Sequence, residues 1–275
     1  TGIPGGWPLS MFLDENGVPF TGGTYFPPKE MYGRPSFITI LNQVSDFYEK
    51  NRDKVIQQAL QLKNIFLKDQ KKSSVIGQNL TPHLETMLKY IDFEWGGFQG
   101  SPKFPQFYIF ESFFHFYKKN KNKKFYDSVK ILLDNVCSRG LYDHLAGGIA
   151  RYSTDERWIA PHFEKMLYDN ILFINLLGQF YLVEPKEYYK DKLTQTVDFI
   201  ISSFKNKENL LGSAYDADSE GIEGKYYVWE DKELRNQLGA DYEIFSKYYD
   251  ISENGNWEGK NILIEKSIKP SKEDN

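Results

Sequence analysis

The densest group of chemically capable side chains in the sequence lies in one stretch, GGIARYSTDERWIAPHFEKMLYDN, which spans residues 147–170. Within it His162 follows Pro161, a residue type that is common in the first turn of a helix. A histidine in that position lies beside unpaired backbone N–H groups, which favour a neutral imidazole that can act as a base. On such a helix His162 shares a face with Asp169, and both are candidate catalytic residues. Glu164 falls on another face, and a structural role is predicted for it.

The first half of the same stretch, ARYSTDERW, combines charged and aromatic side chains. Two arginines among two acids either form a self-satisfied salt-bridge network that holds the loop, or make a polar cup with an aromatic wall. The second arrangement is the usual composition of a sugar site. It makes five residues candidates for substrate binding: Arg151, Asp155, Glu156, Arg157 and Trp158.

Another loop rich in charged side chains, SAYDADSEGIEGKYYVWE, spans residues 213–230. Its acidic spacing begins like an EF-hand, but the twelfth position is Tyr227, where a calcium loop needs a bidentate glutamate. The EF-hand is therefore rejected, an irregular Ca²⁺ site is kept as an alternative, and neither a metal nor a cofactor is predicted. Asp216 and Asp218 are candidates for the acid and the base of glycoside chemistry, and Glu220 is a candidate for substrate binding.

Glycine-rich loops that precede helices position these residues. The pattern D-x-x-x-G-G-apolar occurs at residues 92–98 and again 51 residues later at 143–149. A repeat of about 50 residues that alternates helices with such loops predicts stacked or circularly arranged helical hairpins. An α/α toroid is the natural closure, and a linear solenoid is the alternative. In a toroid these loops lie at the starts of the inner helices on one rim, so their side chains converge.

The apolar spacing from residue 80 onward predicts helices throughout. The first covers residues 82–92, with Thr81 as its N-cap. Further helices are predicted at 105–119, 124–140, 161–183, 186–204 and 229–239. The helix that follows each glycine pair is the more apolar one, which predicts an inner layer.

The first 68 residues have a different pattern. Strands are predicted at 8–14 and 18–26 with a turn between them, and two helices follow, the first with Ser36 as its N-cap. A lone hairpin is too little to be stable in water, so this one is expected to complete a sheet, and the chain is expected to be a fragment. The polar segment 69–79 is predicted to be a linker between two domains, 1–68 and 80–275.

Composition excludes several classes of function. The net charge of −4 argues against a nucleic-acid partner. No run reaches the ~18 apolar residues of a membrane helix and no signal peptide is evident, so no membrane partner is expected and a cytoplasmic location is predicted. The single cysteine, Cys137, lies in a helical pattern, which predicts a buried, inert thiol. The lysine-rich run 118–124 is predicted to be a solvated loop between two helices.

Five blocks of sequence carry a resemblance to a known family: GGWPLSMFLDENGVPFTGGTYFPP, GGFQGSPKFPQ, GGIARYSTDERWIAPHFEKMLYDN, SAYDADSEGIEGKYYVWE and GNWEGKNIL. Together they resemble the spermatogenesis-associated protein 20 family, which couples a thioredoxin-like domain to a six-hairpin-glycosidase-like toroid. The resemblance implies that residues 1–68 are the C-terminal half of a thioredoxin-like α/β domain, with Trp7-Pro8 at its cis-proline position. It also implies a Cys-x-x-Cys motif upstream and an incomplete (α/α)6 toroid that continues past Asn275.

The predicted function is that of a carbohydrate-active toroid, glycosidase-like or sugar-epimerase-like, with a sugar or other small molecule as its ligand. Hydrolysis would use two carboxylates among Asp169, Asp216 and Asp218, whereas epimerisation would use two bases, His144 and His162. The chain by itself is expected to be inactive. One alternative is a thiol-redox or chaperone-like protein whose toroid is a binding scaffold, and another is a ligand-binding toroid without chemistry.

Overall fold

The computed structural model describes residues 6, 8–31, 33–69 and 80–266. Two compact units divide the chain, Thr1–Gln78 and Asn79–Asn275. No helix among the described residues is long and apolar enough to cross a membrane. Trp7 and most of the predicted linker, residues 70–79, lie outside the described residues.

The first unit begins with the predicted hairpin. Strands β1 (Ser10–Leu13) and β2 (Pro19–Gly23) pair antiparallel, with Ser10 opposite Gly23. The turn between them is held by Asp14, whose Oδ1 accepts hydrogen bonds from the backbone N–H of Asn16 at 2.9 Å and of Val18 at 2.8 Å. This is an Asx turn, which explains why D-E-N-G between two apolar runs reverses the chain.

Two helices complete the described part of this unit, α1 (Phe37–Lys50) and α2 (Arg52–Asp69). Ser36 is the N-cap of α1, as predicted, because its Oγ accepts a hydrogen bond from the backbone N–H of Thr39 at 3.2 Å. The unit has a small apolar core made by the hairpin and α2, in which three side chains are buried: Phe20, Val55 and Ala59.

The second unit is mainly helical. Its helices are α3 (Thr81–Leu88), α4 (Phe107–Asn120), α5 (Lys123–Ser138), α6 (Leu167–Tyr181), α7 (Glu187–Phe199), α8 (Asp231–Leu238) and α9 (Tyr242–Tyr248). A π-helical turn, Ile200–Phe204, extends α7. Six two-residue strands form three antiparallel pairs, β3 (Tyr152–Ser153) with β4 (Pro161–His162), β5 (Lys165–Met166) with β6 (Ala214–Tyr215), and β7 (Asp218–Ser219) with β8 (Ile222–Glu223).

Consecutive helices pack as hairpins. Helix α4 contacts α5, α6 contacts α7, and α4 contacts α6, so the two helices that follow the glycine pairs are neighbours. The shared core is rich in aromatic side chains with no exposed surface, among them Phe110, Phe113, Phe114, Phe173 and Phe180. This arrangement confirms a mainly α fold, and closure into a toroid stays a prediction.

The prediction that the helices after the glycine pairs form a buried inner layer is wrong in one respect. Helix α5 buries seven residues, whereas α4 buries four and α6 buries five. Tyr108 on α4 and Ile171 on α6 are 58% and 47% exposed. Helix α5 contacts α3 and α4, but α4 and α6 also have two helical neighbours each, so the number of neighbours does not account for the greater burial of α5.

Three differences separate the predicted helices from those in the structure. Leu80 occupies the N-cap position of α3, and Thr81 is the first helical residue. Helix α9 was not predicted. The largest difference is that α6 begins at Leu167 instead of Pro161, because residues 161–166 are extended and pair with two other segments. His162 is therefore not on a helix, and the predicted stripe of His162 with Asp169 is wrong.

The prediction for Cys137 is confirmed, whereas the lysine-rich run is largely exposed as predicted but mostly helical instead of a loop. Cys137 is fully buried in α5, and this burial raises the pKa of its thiol far above the ordinary value. The lysine-rich run forms the end of α4, a short connection and the start of α5. Lys121 in this connection has a left-handed backbone and is exposed to solvent.

Candidate functional site

The two glycine-pair loops share one hydrogen-bond pattern. In the first loop Oδ1 of Asp92 accepts hydrogen bonds from two backbone N–H groups, each at 2.9 Å, and Oδ2 accepts one from Nζ of Lys103 at 2.7 Å. In the second loop Asp143 does the same, with Lys165 at 2.7 Å. Each lysine also donates to the carbonyl of the first glycine of its pair, at 3.0 and 2.9 Å. We call each pair an aspartate–lysine clamp.

The glycines let neighbouring backbone approach the loops. Gly96 has φ +77°, and a Cβ there would lie 2.5 Å from Cα of Leu132 on α5. Gly147 has φ +88°, and its Cβ would lie 2.5 Å from the carbonyl oxygen of Gln195 on α7. Both the dihedral angle and the contact therefore require glycine. Each clamp therefore fixes the position of its glycine-pair loop relative to the following segment, which carries the lysine.

The segment after the second loop carries the predicted histidine. In the β3–β4 pair His162 lies opposite Tyr152, and the two rings stack with centroids 5.0 Å apart. Nδ1 of His162 lies 2.7 Å from Oε1 of Glu223, and the histidine side chain is 30% exposed. When Nδ1 donates to this carboxylate, a neutral imidazole carries its lone pair on Nε2, where it can accept a proton.

Two carboxyl groups flank an arginine close by in the chain. Nη1 of Arg151 donates to Oε2 of Glu164 at 2.9 Å, which is the structural role predicted for Glu164. Asp169 lies in the first turn of α6, where burial raises its pKa to about 6 although the charge of Arg151 opposes that rise. Within the described residues, two buried side-chain atoms lack a hydrogen-bond partner, Nε of Arg151 and Oδ2 of Asp169.

These groups form what we call the ladder site, which consists of Arg151, Tyr152, His162, Glu164, Asp169 and Glu223. It combines an imidazole oriented by a carboxylate with a carboxyl group that keeps its proton to about pH 6. Pairs of titratable groups with such different environments are typical of acid–base sites. The sequence prediction missed the role of Glu223, because it lies 61 residues from His162 and no spacing signal connects them.

His144, the second predicted base, is in a different environment. Its side chain is fully buried, Nε2 lies 3.1 Å from the carbonyl oxygen of Arg139, and Nδ1 lies 3.2 Å from both Nζ of Lys192 and Oε1 of Glu265. Burial alone would raise the pKa of Glu265, but His144 and Lys192 lower it to about 2. His144 is thus held in an ion cluster and borders a cavity, whereas His162 contacts Tyr152 and Glu223, so the pairing of the two as bases stays a prediction.

Two predicted substrate-binding residues make structural contacts, Asp155 within its own loop and Trp158 with the first glycine-pair loop. Oδ2 of Asp155 accepts hydrogen bonds from the hydroxyl of Ser153 at 3.0 Å and from the backbone N–H of Ala160 at 2.7 Å. Trp158 is fully buried in the core, and its Nε1 donates to the carbonyl of Trp95 at 2.8 Å. The expected aromatic wall is therefore not Trp158. Two other candidates from this loop, Glu156 and Arg157, are exposed.

The acidic loop is exposed. Asp216 and Asp218 contact each other only locally, through a hydrogen bond from the backbone N–H of Asp218 to Oδ1 of Asp216 at 3.3 Å. Glu220 forms an ion pair with Lys225. In the β7–β8 pair Asp218 lies opposite Glu223, which belongs to the ladder site. Among the described residues no group of three or more His, Cys, Asp or Glu side chains is placed to hold a metal ion, so the irregular Ca²⁺ site has no support there.

Comparisons with known proteins relate both units to one family. A family model labelled Thioredox_DsbH and described as a protein of unknown function, DUF255, matches residues 1–67. The chain is 30% identical to spermatogenesis-associated protein 20 of Homo sapiens over 93% of the chain and 36% of that protein. For the Mus musculus protein of the same name the values are 30%, 96% and 38%, and for an uncharacterised Caenorhabditis elegans protein they are 29%, 92% and 37%.

The chain thus spans little more than a third of the length of the curated relatives it matches. The family relationship predicted from the five sequence blocks is confirmed. The thioredoxin-like character of the first unit is confirmed as well.

Proposed function

Since the chain is homologous to the spermatogenesis-associated protein 20 family over nearly its whole length, we propose that its second unit binds a sugar at the ladder site and catalyses proton transfer on it. The observation that carries the proposal is the 2.7 Å contact between Nδ1 of His162 and Oε1 of Glu223. A carboxylate in this position selects one tautomer and one orientation of the imidazole, as general bases require.

The chemistry follows from the two unlike groups at the site. Nε2 of His162 removes a proton from a carbon next to the sugar carbonyl, and Glu223 stabilises the imidazolium that forms. Asp169, whose pKa of about 6 lies near neutrality, supplies a proton to the oxygen or carbon that receives it. This pairing favours isomerisation or epimerisation over hydrolysis by Asp216 and Asp218, because those two carboxylates are exposed to solvent.

A sugar suits the remaining side chains of the ladder site. Tyr152 stacks on His162, and its ring lies tilted against Phe104 with centroids 4.7 Å apart; Phe104 is 39% exposed, so the cluster offers an aromatic surface for the apolar face of a sugar ring. Arg151 is held by Glu164 beside this surface and is a donor for sugar hydroxyls. The thiol-redox alternative gains no support from Cys137, which is buried.

Binding is tested by thermal unfolding of the full-length protein with a panel of mono- and disaccharides. A ligand at 100 times its Kd adds about 2.7 kcal/mol to the free energy of unfolding of the domain that binds it. We expect one sugar class to stabilise the wild type and to have a much smaller effect on Arg151→Gln and His162→Gln. Glu156→Gln, an exposed acid of the same loop, is the matched control and should respond like the wild type. If no sugar stabilises the protein, or if every variant responds equally, the proposal is wrong.

A further inference from the structure

A cavity of about 560 Å³ lies in the second unit next to the ladder site. Pro161 and Phe163 line it, whereas His162, between them, contacts Tyr152 and Glu223 instead. Side chains alternate in extended backbone, so the cavity and the ladder site are on opposite sides of this segment. Its volume is within the range of small-molecule sites, about 300–1,000 Å³. The proposed acid–base chemistry leaves this cavity without a role.

The lysine of the second clamp lines this cavity, and the lysine of the first clamp does not. Lys103 and Lys165 make equivalent contacts to an aspartate and to a glycine carbonyl. Lys103 packs against the fully buried Trp158, with Nζ 5.4 Å from the ring centroid. Lys165 is one of the residues that border the cavity, and so is Tyr227, whose ring centroid is 5.1 Å from Nζ of Lys165. Because Lys103 forms the same clamp and does not line the cavity, the clamp itself does not require a cavity beside its lysine.

Burial makes the ammonium group of Lys165 easier to deprotonate than that of an exposed lysine. Burial lowers the pKa of Lys165, and the charge of Asp143 opposes this effect without cancelling it. The ring of Phe199, with its centroid 4.1 Å from Nζ, makes a cation–π contact that favours the charged form, so the lowered pKa is due to burial. A lysine amine that loses its proton more easily than a solvent-exposed one is a stronger nucleophile at neutral pH, as in enzymes that form Schiff bases.

We propose that Nζ of Lys165 forms an imine with a small aldehyde or ketone that enters this cavity. Asp143 Oδ2, 2.7 Å from Nζ, first accepts a proton from the ammonium group. The amine lone pair then attacks the carbonyl carbon, and the carbonyl oxygen takes the proton held by Asp143. The nitrogen returns a second proton to Asp143, which leaves a neutral carbinolamine. Asp143 passes this proton to the hydroxyl, the C–O bond breaks, water leaves, and the nitrogen, which keeps its last proton, forms a C=N bond to the carbon. No oxidant or reductant takes part, and hydrolysis of the imine restores the lysine.

The experiment is reductive trapping on the full-length wild-type protein, so no variant has to fold. The protein is incubated with glycolaldehyde and sodium cyanoborohydride at pH 7, and the alkylated lysines are located and quantified by peptide mass spectrometry. Lys103 is the matched control for a clamped, buried lysine, and Lys207 represents exposed lysines. We expect Lys165 to be alkylated at least tenfold faster than Lys103 and faster than Lys207. Alkylation of Lys165 no faster than that of Lys103 would overturn the proposal.

A second measurement separates this inference from the proposed sugar chemistry. In His162→Gln the cavity and the second clamp are unchanged, so the alkylation rate of Lys165 should stay within twofold of the wild type. Between pH 6 and pH 9 the ratio of the Lys165 rate to the Lys207 rate should be largest at the low end, since burial lowers the pKa of the Lys165 amine. If the two rates rise in parallel, Lys165 has no special reactivity and the proposal fails even where the ladder site binds a sugar.

Discussion

Replacing Asp92 by asparagine removes the anionic partner of a buried lysine and leaves the loop backbone bonded. The side chain of Lys103 is 1% exposed, and its ammonium has Asp92 at 2.7 Å and the carbonyl of Gly96 at 3.0 Å. Removing one member of a buried ion pair typically costs about 3–5 kcal/mol. The protein limits this cost by releasing the lysine proton, which for an ordinary lysine at pH 7 requires about 4.6 kcal/mol. We therefore expect Asp92→Asn to lower the free energy of unfolding by about 3–5 kcal/mol at pH 7.

The cost of Asp92→Asn also depends on pH. Because deprotonation of a lysine becomes easier by about 1.4 kcal/mol per pH unit, the upper limit falls to about 2 kcal/mol at pH 9. Urea denaturation followed by tryptophan fluorescence at pH 7 and pH 9 measures both values. Glu187→Gln is the control, since its ion pair with Lys190 is exposed and should contribute at most about 1 kcal/mol. A loss below 1 kcal/mol for Asp92→Asn, or a loss that does not change with pH, would refute the clamp as a stabilising pair.

Three further predictions concern other parts of the second unit. Cys137 should resist thiol reagents in the folded protein and react fully in denaturant, because it is buried and its pKa is raised. Asp169→Asn should stabilise the protein at pH 8 and have little effect at pH 4. Burial raises the folded-state pKa of Asp169 to about 6, so its protonated carboxyl stabilises the fold at low pH and this contribution is lost as the pH rises through 6. Melting temperatures of both proteins across pH 4–8 measure this difference. Gly147→Ala should cost about 1–3 kcal/mol through backbone strain and its contact with α7, whereas Gly178→Ala, within α6 and without a neighbour within 4 Å, should gain about 0.5–1 kcal/mol in denaturant titrations.

The sequence was sufficient to predict the elements that are held by hydrogen bonds between residues close together in the chain. Ser36 caps α1 through a hydrogen bond three residues along the chain, and the Asp14 turn closes the hairpin within four residues. The repeated D-x-x-x-G-G pattern correctly marked two equivalent loops, since the aspartate bonds the loop's own backbone. In each case the residue and its partner are near neighbours in the sequence.

The candidate site was harder to predict from the sequence because its contacts join residues that are far apart in the chain. The apolar spacing around Pro161 is compatible with a helix, but pairing with residues 152–153 and 214–215 keeps this segment extended. The lysines of the clamps follow their aspartates by 11 and by 22 residues, so no common spacing marks them. The burial of His144 depends on Lys192, 48 residues away. Residue types alone cannot separate such an enclosed histidine from an available one.

The central claim is that His162, oriented by Glu223, transfers protons on a sugar at the ladder site. The most direct test is proton NMR of reducing sugars in D₂O with the full-length protein, which detects exchange of the hydrogen on the carbon next to the carbonyl. We expect the wild type to exchange this hydrogen in at least one sugar, Glu223→Gln to do so at least tenfold more slowly, and His162→Gln not to do so at all. Exchange at the wild-type rate in His162→Gln, or none with any sugar that binds, would contradict the account.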